Sequence, residues 1–156
     1  MVAIGEIAKA GQFVVIGVKT DATGVTKGDV CSFDTNGLLQ VAPTAGSDGP
    51  YGVAKETKGA SVACGIIVEG YVYVTADGAI KNNKFVIVSA ATAGQVIVAT
   101  HATVATTPTQ TDVQAVQNEL WRRVGVYISH EAEQLGTDVT AAADADVIII
   151  KLGVSF

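Results

Sequence analysis

Apolar residues in this chain come in short runs rich in valine, alanine and threonine, broken roughly every 8 to 12 positions by turn-forming residues. That spacing leaves room for strands and little for helices. The run Gln12 to Thr20 ends at Asp21-Ala22-Thr23-Gly24, residues that tolerate tight backbone geometry. Asp29 to Asp34 alternates, so Val30 and Ser32 share one face and Cys31 and Phe33 the other, with Phe33 the expected core member. Asn36-Gly37 then separates this run from Leu38-Leu39-Gln40-Val41. A type I′ turn needs positive φ at both central positions, and this pair predicts a hairpin of that type.

Further runs follow at Tyr51 to Lys55, Val62 to Val74, Phe85 to Ser89, Gln95 to Thr100, Val124 to Ser129 and Asp146 to Leu152. Asp77-Gly78, Asn82-Asn83 and Ala93-Gly94 are the turn candidates among them. Gly65 and Gly70 interrupt the longest run. Glycine inside a strand pattern marks a bulge or a sharp corner, so the sheet is expected to curl there.

Asp112 to Arg123 breaks the pattern, because Val113, Val116 and Leu120 recur at helical spacing. Thr111 or Asp112 is placed to cap the first amides, and Arg122 and Arg123 sit where the C-terminal dipole favours cations. The Thr-rich stretch Thr103 to Thr111, with Pro108, reads as a loop. Together these elements predict a mainly β fold: a compact antiparallel barrel or two-sheet sandwich of about eight or nine strands with one short helix. The 156 residues are one domain's length, read as an N-terminal arm over 1–10 and a single β-rich domain over 11–156.

Several functional classes lack their chemistry. The apolar runs Val14 to Val18, Val62 to Val68 and Val147 to Ile150 fall far short of the roughly 18 to 20 residues of a membrane helix, so no membrane partner is expected. The start Met1-Val2-Ala3-Ile4 carries no basic leader, and Glu6 and Lys9 interrupt the following apolar residues, so synthesis in a cytoplasm is expected. Ten basic against fifteen acidic residues give a net charge of -5 without a Lys/Arg cluster, the wrong footprint for nucleic acid. Cys31 and Cys64 have no C-x-x-C spacing and read as buried free thiols.

His101 and His130 are the only histidines and share no metal spacing, so no metal, cofactor or catalytic residue is expected. Around Ser61, Gly59-Ala60-Ser61-Val62-Ala63 lacks the second glycine and the following helix of a nucleophile elbow. Gly46-Ser47-Asp48-Gly49-Pro50 lacks the ending of a phosphate loop, and Asp138, Asp144 and Asp146 lack the order of a calcium loop. The chain is therefore expected not to be an enzyme and to take no small-molecule substrate. A binding module would want an aromatic platform or a carrier lysine. Aromatics are only 6% of the chain, with Tyr51, Tyr71, Tyr73 and Tyr127 scattered over predicted strands, and Lys27 and Lys58 stand without a carrier motif.

What remains is a surface to cover with charged residues at only 16% of the chain, against a usual share of about 25%. Much of that surface must be Ala, Thr, Val and Gly, which suits contact with other subunits, since charge is depleted at interface centres. Trp121, the only tryptophan, reads as a core plug or, beside two arginines, as an interface anchor.

The order of short blocks resembles the capsid decoration, or cement, proteins of tailed bacteriophages and related viruses. Ala10-Gly11-Gln12 leads into the first strand, and Val25-Thr26-Lys27-Gly28-Asp29-Val30 precedes the Asn36-Gly37 hairpin. Tyr51-Gly52-Val53-Ala54 then comes before Gly65-Ile66-Ile67-Val68-Glu69-Gly70-Tyr71-Val72. Arg123-Val124-Gly125-Val126 precedes an acidic loop and the closing Ala145-Asp146-Val147-Ile148-Ile149-Ile150-Lys151-Leu152-Gly153. The resemblance spans residues 10 to 153, although Thr103 to Arg123 is longer than in compact members.

The resemblance implies a barrel-like subunit that assembles as a homotrimer on the outside of an icosahedral head and bridges major capsid subunits in the virion. The rival readings are another virion component, such as a tail-tube or fibre subunit, and a monomeric β-type binding module. Two segments are placed to reach a neighbour, Met1 to Ala10 and Thr44 to Pro50, because an arm can add a strand to a sheet edge. The expected contact residues are Val2, Ile4 and Ile7 toward the capsid, and Leu120, Trp121 and Arg122 between subunits.

Overall fold

The computed structural model describes residues 14–44, 49–80, 84–99, 104–130 and 145–153, except the side chains of 129 and 130. In chain order the elements are β1 (Val14–Lys19), β2 (Val30–Phe33), β3 (Leu39–Val41), β4 (Gly52–Ala54), β5 (Ala63–Thr75), β6 (Phe85–Val88), β7 (Val96–Val98), α1 (Gln110–Trp121), β8 (Arg123–His130) and β9 (Val147–Leu152). The nine strands form one sheet in the order β3-β2-β4-β5-β9-β8-β6-β7, and β1 also pairs with β5. Every paired strand runs antiparallel. The mainly β fold with a single short helix is as the sequence predicts, in the form of a half-barrel.

The long strand β5 organises it. Its first part, Ala63 to Glu69, pairs with β1, and Ile66 and Ile67 pair with β4; its second part, Gly70 to Thr75, pairs with β9. The change of partner falls at Gly70, whose φ of 117° is a conformation side chains rarely adopt. Gly65 sits in regular register opposite Gly17 and turns no corner; the register shift falls between Val14 and Val15, opposite Val68 and just before Gly70. Each half then curls: a parallel bridge from Thr20 to Leu39 ties the end of β1 to β3, and one from Ala76 to Val96 ties the end of β5 to β7. The halves are stitched together at the β6–β7 turn, where Val30 N–H donates to the Gly94 carbonyl at 2.8 Å and Gly94 N–H to Ala42 at 3.2 Å.

Two cores follow from strand alternation. Val30, Val53 and Ile67 face the larger one, with Val72, Val74, Tyr127, Ile148 and Ile150. Their chain neighbours Cys31, Ala54 and Ile66 face the smaller one inside the first half, with Cys64 and Leu39. The two faces of β2 are as the alternation predicts, but Cys31 is buried while Phe33 is only partly so. A tightly curled half accommodates a thiol or a methyl at its centre and leaves the larger ring at its rim.

The β2–β3 hairpin forms, with Phe33 opposite Leu39, but its turn is not type I′. Only Gly37 has positive φ, at 75°. The Asp34 carboxylate supplies what the turn lacks, accepting from the N–H groups of Asn36 and Leu38 at 2.8 Å each. The helix starts two residues before the expected Asp112, because Thr109 and not Thr111 or Asp112 is its cap, and it ends before both arginines, with Arg122 as C-cap. No described helix is long and apolar enough to cross a membrane.

Candidate assembly surface

Helix α1 is well formed locally and poorly covered. Thr109 accepts from the Asp112 N–H, and the Asp112 carboxylate accepts from the Thr109 N–H at 2.8 Å and hydroxyl at 2.9 Å, a complete capping box. Those bonds, the backbone one foremost, hold the Asp112 carboxyl below its ordinary range. Yet none of the helix's residues is buried. Isolated helices of this length are marginal in water, and packing normally supplies their stability.

The junction with β8 fixes the end of the helix. Arg122 Nη2 donates to the Val88 carbonyl at 2.9 Å, while its Nε is buried with no partner among the described residues. Arg123 stands 4.3 Å over the Phe85 ring and 4.0 Å from Glu119. Gly49 N–H donates to the Trp121 carbonyl at 3.2 Å, bringing the end of the Thr44 to Pro50 loop against the helix. Leu120 and Trp121 are exposed, so Trp121 is not a core plug; Arg122 is partly buried against β6. Val2, Ile4 and Ile7 lie outside the described residues.

Beside this junction, where β5 changes partner, lies a groove of about 420 Å³. Ile16, Phe33 and Val68 line it from the first half, and Arg123, Val124 and Gly153 from the second. Pro50 at its wall connects it to the helix end. On its other side β1 is exposed at successive positions, Val14 at 44%, Val15 at 37% and Ile16 at 39%. A run of consecutive apolar residues is the mark of a strand covered on both faces, and β1 is hydrogen-bonded on one side only among the described residues. Sequence reasoning identified β1 as a strand but not as a surface; its lack of alternation was the available signal.

The remaining candidates converge on nothing. His101 and the His130 side chain, like Asp138 and Asp144, lie outside the described residues, and no group of three metal-binding side chains occurs among those described. Ser61 has φ of 58° in the turn before β5, its N–H bonded to the Asp21 carbonyl at 2.9 Å. Cys31 and Cys64 are free and buried, and burial is the main cause pushing both thiols upward. Tyr51, Tyr73 and Tyr127 are buried, Tyr71 is half-buried, and Lys58 lies 3.2 Å from Glu56.

No protein-family model and no curated protein matches this chain. Among solved structures, a chain in the capsid of Myoviridae phage XM1 has a similar fold, with a TM-score of 0.60 and 15% sequence identity. The similarity covers 97% of this chain and 89% of that one, so it concerns the whole fold and not a shared hairpin.

Proposed function

We propose that this chain is a structural virion protein that binds the outer surface of an icosahedral capsid as a homotrimer and stabilises the shell by bridging major capsid subunits. The observation that carries the reading is the fold shared over nearly the full length with a chain of a phage capsid. The low charge and the uncovered helix are its physical support. In this reading the chain catalyses no reaction, holds no metal or cofactor, and takes no nucleic acid, membrane or small molecule as partner. It is made in the host cytoplasm and works in the virion. Val2, Ile4 and Ile7 contact the shell; Leu120, Trp121 and Arg122 lie between subunits. Stabilisation follows by mass action, because a ligand that binds the assembled shell and not its dissociated parts raises the shell's stability with its concentration.

The test is incubation with undecorated expanded capsids, then sedimentation and thermal melting of the shell. Saturable co-sedimentation and a shell melting temperature that rises with added protein are expected, both reduced by deleting residues 1–9. Protein that stays in the supernatant and leaves shell melting unchanged overturns the proposal.

A further inference from the structure

Asn36-Gly37 is the one Asn-Gly pair in the sequence, and it stands in the turn between β2 and β3. Both residues are exposed, and a Cβ built on Gly37 would meet nothing within 4 Å, so water has access to the pair. Asparagine is a thermally labile side chain, and a following glycine leaves the next backbone nitrogen with no side chain to shield it. That nitrogen is the one that closes the turn: Gly37 N–H donates to the Asp34 carbonyl at 3.0 Å. On either side of it, the N–H groups of Asn36 and Leu38 both donate to Oδ1 of Asp34 at 2.8 Å. Asp34 thus accepts from three consecutive backbone N–H groups, two of them on its carboxylate, where hydrogen bonds are stronger than between neutral groups.

We propose that Asn36 is a site of spontaneous deamidation and that Asp34 controls its rate by holding the turn closed. The reaction needs only water and hydroxide. In the opened turn the Gly37 N–H gives its proton to hydroxide and the nitrogen bonds to Cγ of Asn36; the side-chain amide takes up a proton and leaves as ammonia, and a cyclic imide remains. Water then adds to one imide carbonyl and breaks its bond to nitrogen. Breaking the Cγ bond gives aspartate, and breaking the main-chain bond gives isoaspartate. Nothing is oxidised or reduced. While Gly37 N–H is held on the Asp34 carbonyl the nitrogen keeps its proton, so the rate follows the open fraction of the turn. Both products place a second carboxylate two residues from Asp34, and isoaspartate also lengthens the main chain by one carbon before Gly37. The three N–H groups then no longer fall together on Asp34. The pairing of Phe33 with Leu39, set by this turn, loosens beside the smaller core in which Leu39 is buried. The site stands apart from the capsid reading.

The test is timed incubation of the purified chain at mildly alkaline pH, followed by isoelectric focusing and peptide mass spectrometry. Conversion should appear at Asn36 before Asn82, Asn83 or Asn118, and should run faster in urea than in the folded protein. Asp34→Ala should speed it by about tenfold or more in the folded protein, the weight of a hydrogen bond to a charged acceptor, and leave the rate in urea unchanged. Asp34→Asn, which keeps an acceptor oxygen, should restore most of the protection. Amide exchange of Gly37 in the parent measures the open fraction without any substitution. A folded-state conversion rate above what that fraction permits overturns control by the turn. So do equal rates in the folded parent, in Asp34→Ala and in urea. Conversion that starts at another asparagine, or none at Asn36 in urea, overturns the site itself.

Discussion

The two glycines of β5 make an internal control, since the same substitution in the same strand should have opposite effects. At Gly65 the backbone is ordinary, and an added Cβ would meet Val15 Cγ1 at 3.5 Å and Lys55 Cδ at 3.8 Å, normal van der Waals contacts. Gly65→Ala then acts mainly by restricting the unfolded chain, for a gain of about 0.4 to 1 kcal/mol. At Gly70 the φ of 117° coincides with the exchange of partners from β1 and β4 to β9. A side chain held in such a region costs about 1 to 3 kcal/mol. For a chain of this size each kcal/mol moves the melting temperature by roughly 2 to 4 °C. Gly70→Ala should therefore melt about 6 °C below the parent, and Gly65→Ala at or slightly above it. Calorimetry and urea unfolding of the two variants side by side measure the difference. If Gly70→Ala is as stable as Gly65→Ala, the corner does not depend on glycine and the account of the bend is wrong.

Thr109→Ala removes the capping box from a helix with no buried residue, and should cost about 1 kcal/mol locally. Faster amide exchange confined to 110–121 is the expected readout, and unchanged exchange would show that something else holds the helix. Asp29 has its carboxyl pushed up by burial, with the Thr26 N–H pulling the other way. Its native state binds a proton more tightly than its unfolded state, so its contribution favours folding below the ordinary carboxylate range and is lost as pH rises through the raised value. Asp29→Asn should raise the melting temperature at pH 7 relative to pH 4, and a flat difference would refute this. Cys31 and Cys64, buried and pushed upward, should resist a thiol reagent at pH 8 until denaturant is added, when both react. Ser32 buries its hydroxyl with no partner among the described residues, so Ser32→Ala should stabilise by about 1 kcal/mol in urea unfolding.

Local pattern carried most of the fold. Every strand lies within or beside an apolar run, because alternation and turn residues are local signals; of the two breaks in the longest run, Gly65 and Gly70, only Gly70 has positive φ. The misjudged details are those that a side chain or the curvature decides. The Asp34 carboxylate replaces a second positive φ in the hairpin, Thr109 rather than Thr111 or Asp112 caps α1, and the curl of the first half leaves Phe33 at the rim beside a Cys31 buried as expected. Trp121 could be read as core or as contact from sequence, and its exposure at the end of α1 excludes the core. The groove was out of reach because its walls come from β1, β2, β5 and β8, and no short window of sequence contains them together.

β1 and β9 share a sequence pattern but not an environment. Both carry consecutive apolar residues, Val14-Val15-Ile16 in one and Ile148-Ile149-Ile150 in the other, the pattern of a strand covered on two faces. In β9 the pattern is satisfied within the chain: the strand lies between β5 and β8, and all three isoleucines are buried. In β1 the same pattern meets a single neighbouring strand among the described residues, and Val14, Val15 and Ile16 are exposed. Among the described residues, β1 therefore lacks the second neighbouring strand that β9 has. An exposed apolar edge of this kind is a liability for a monomer, since unpaired backbone groups invite non-specific strand addition. In the proposed virion role, contact with a neighbouring subunit would cover that edge and remove the liability.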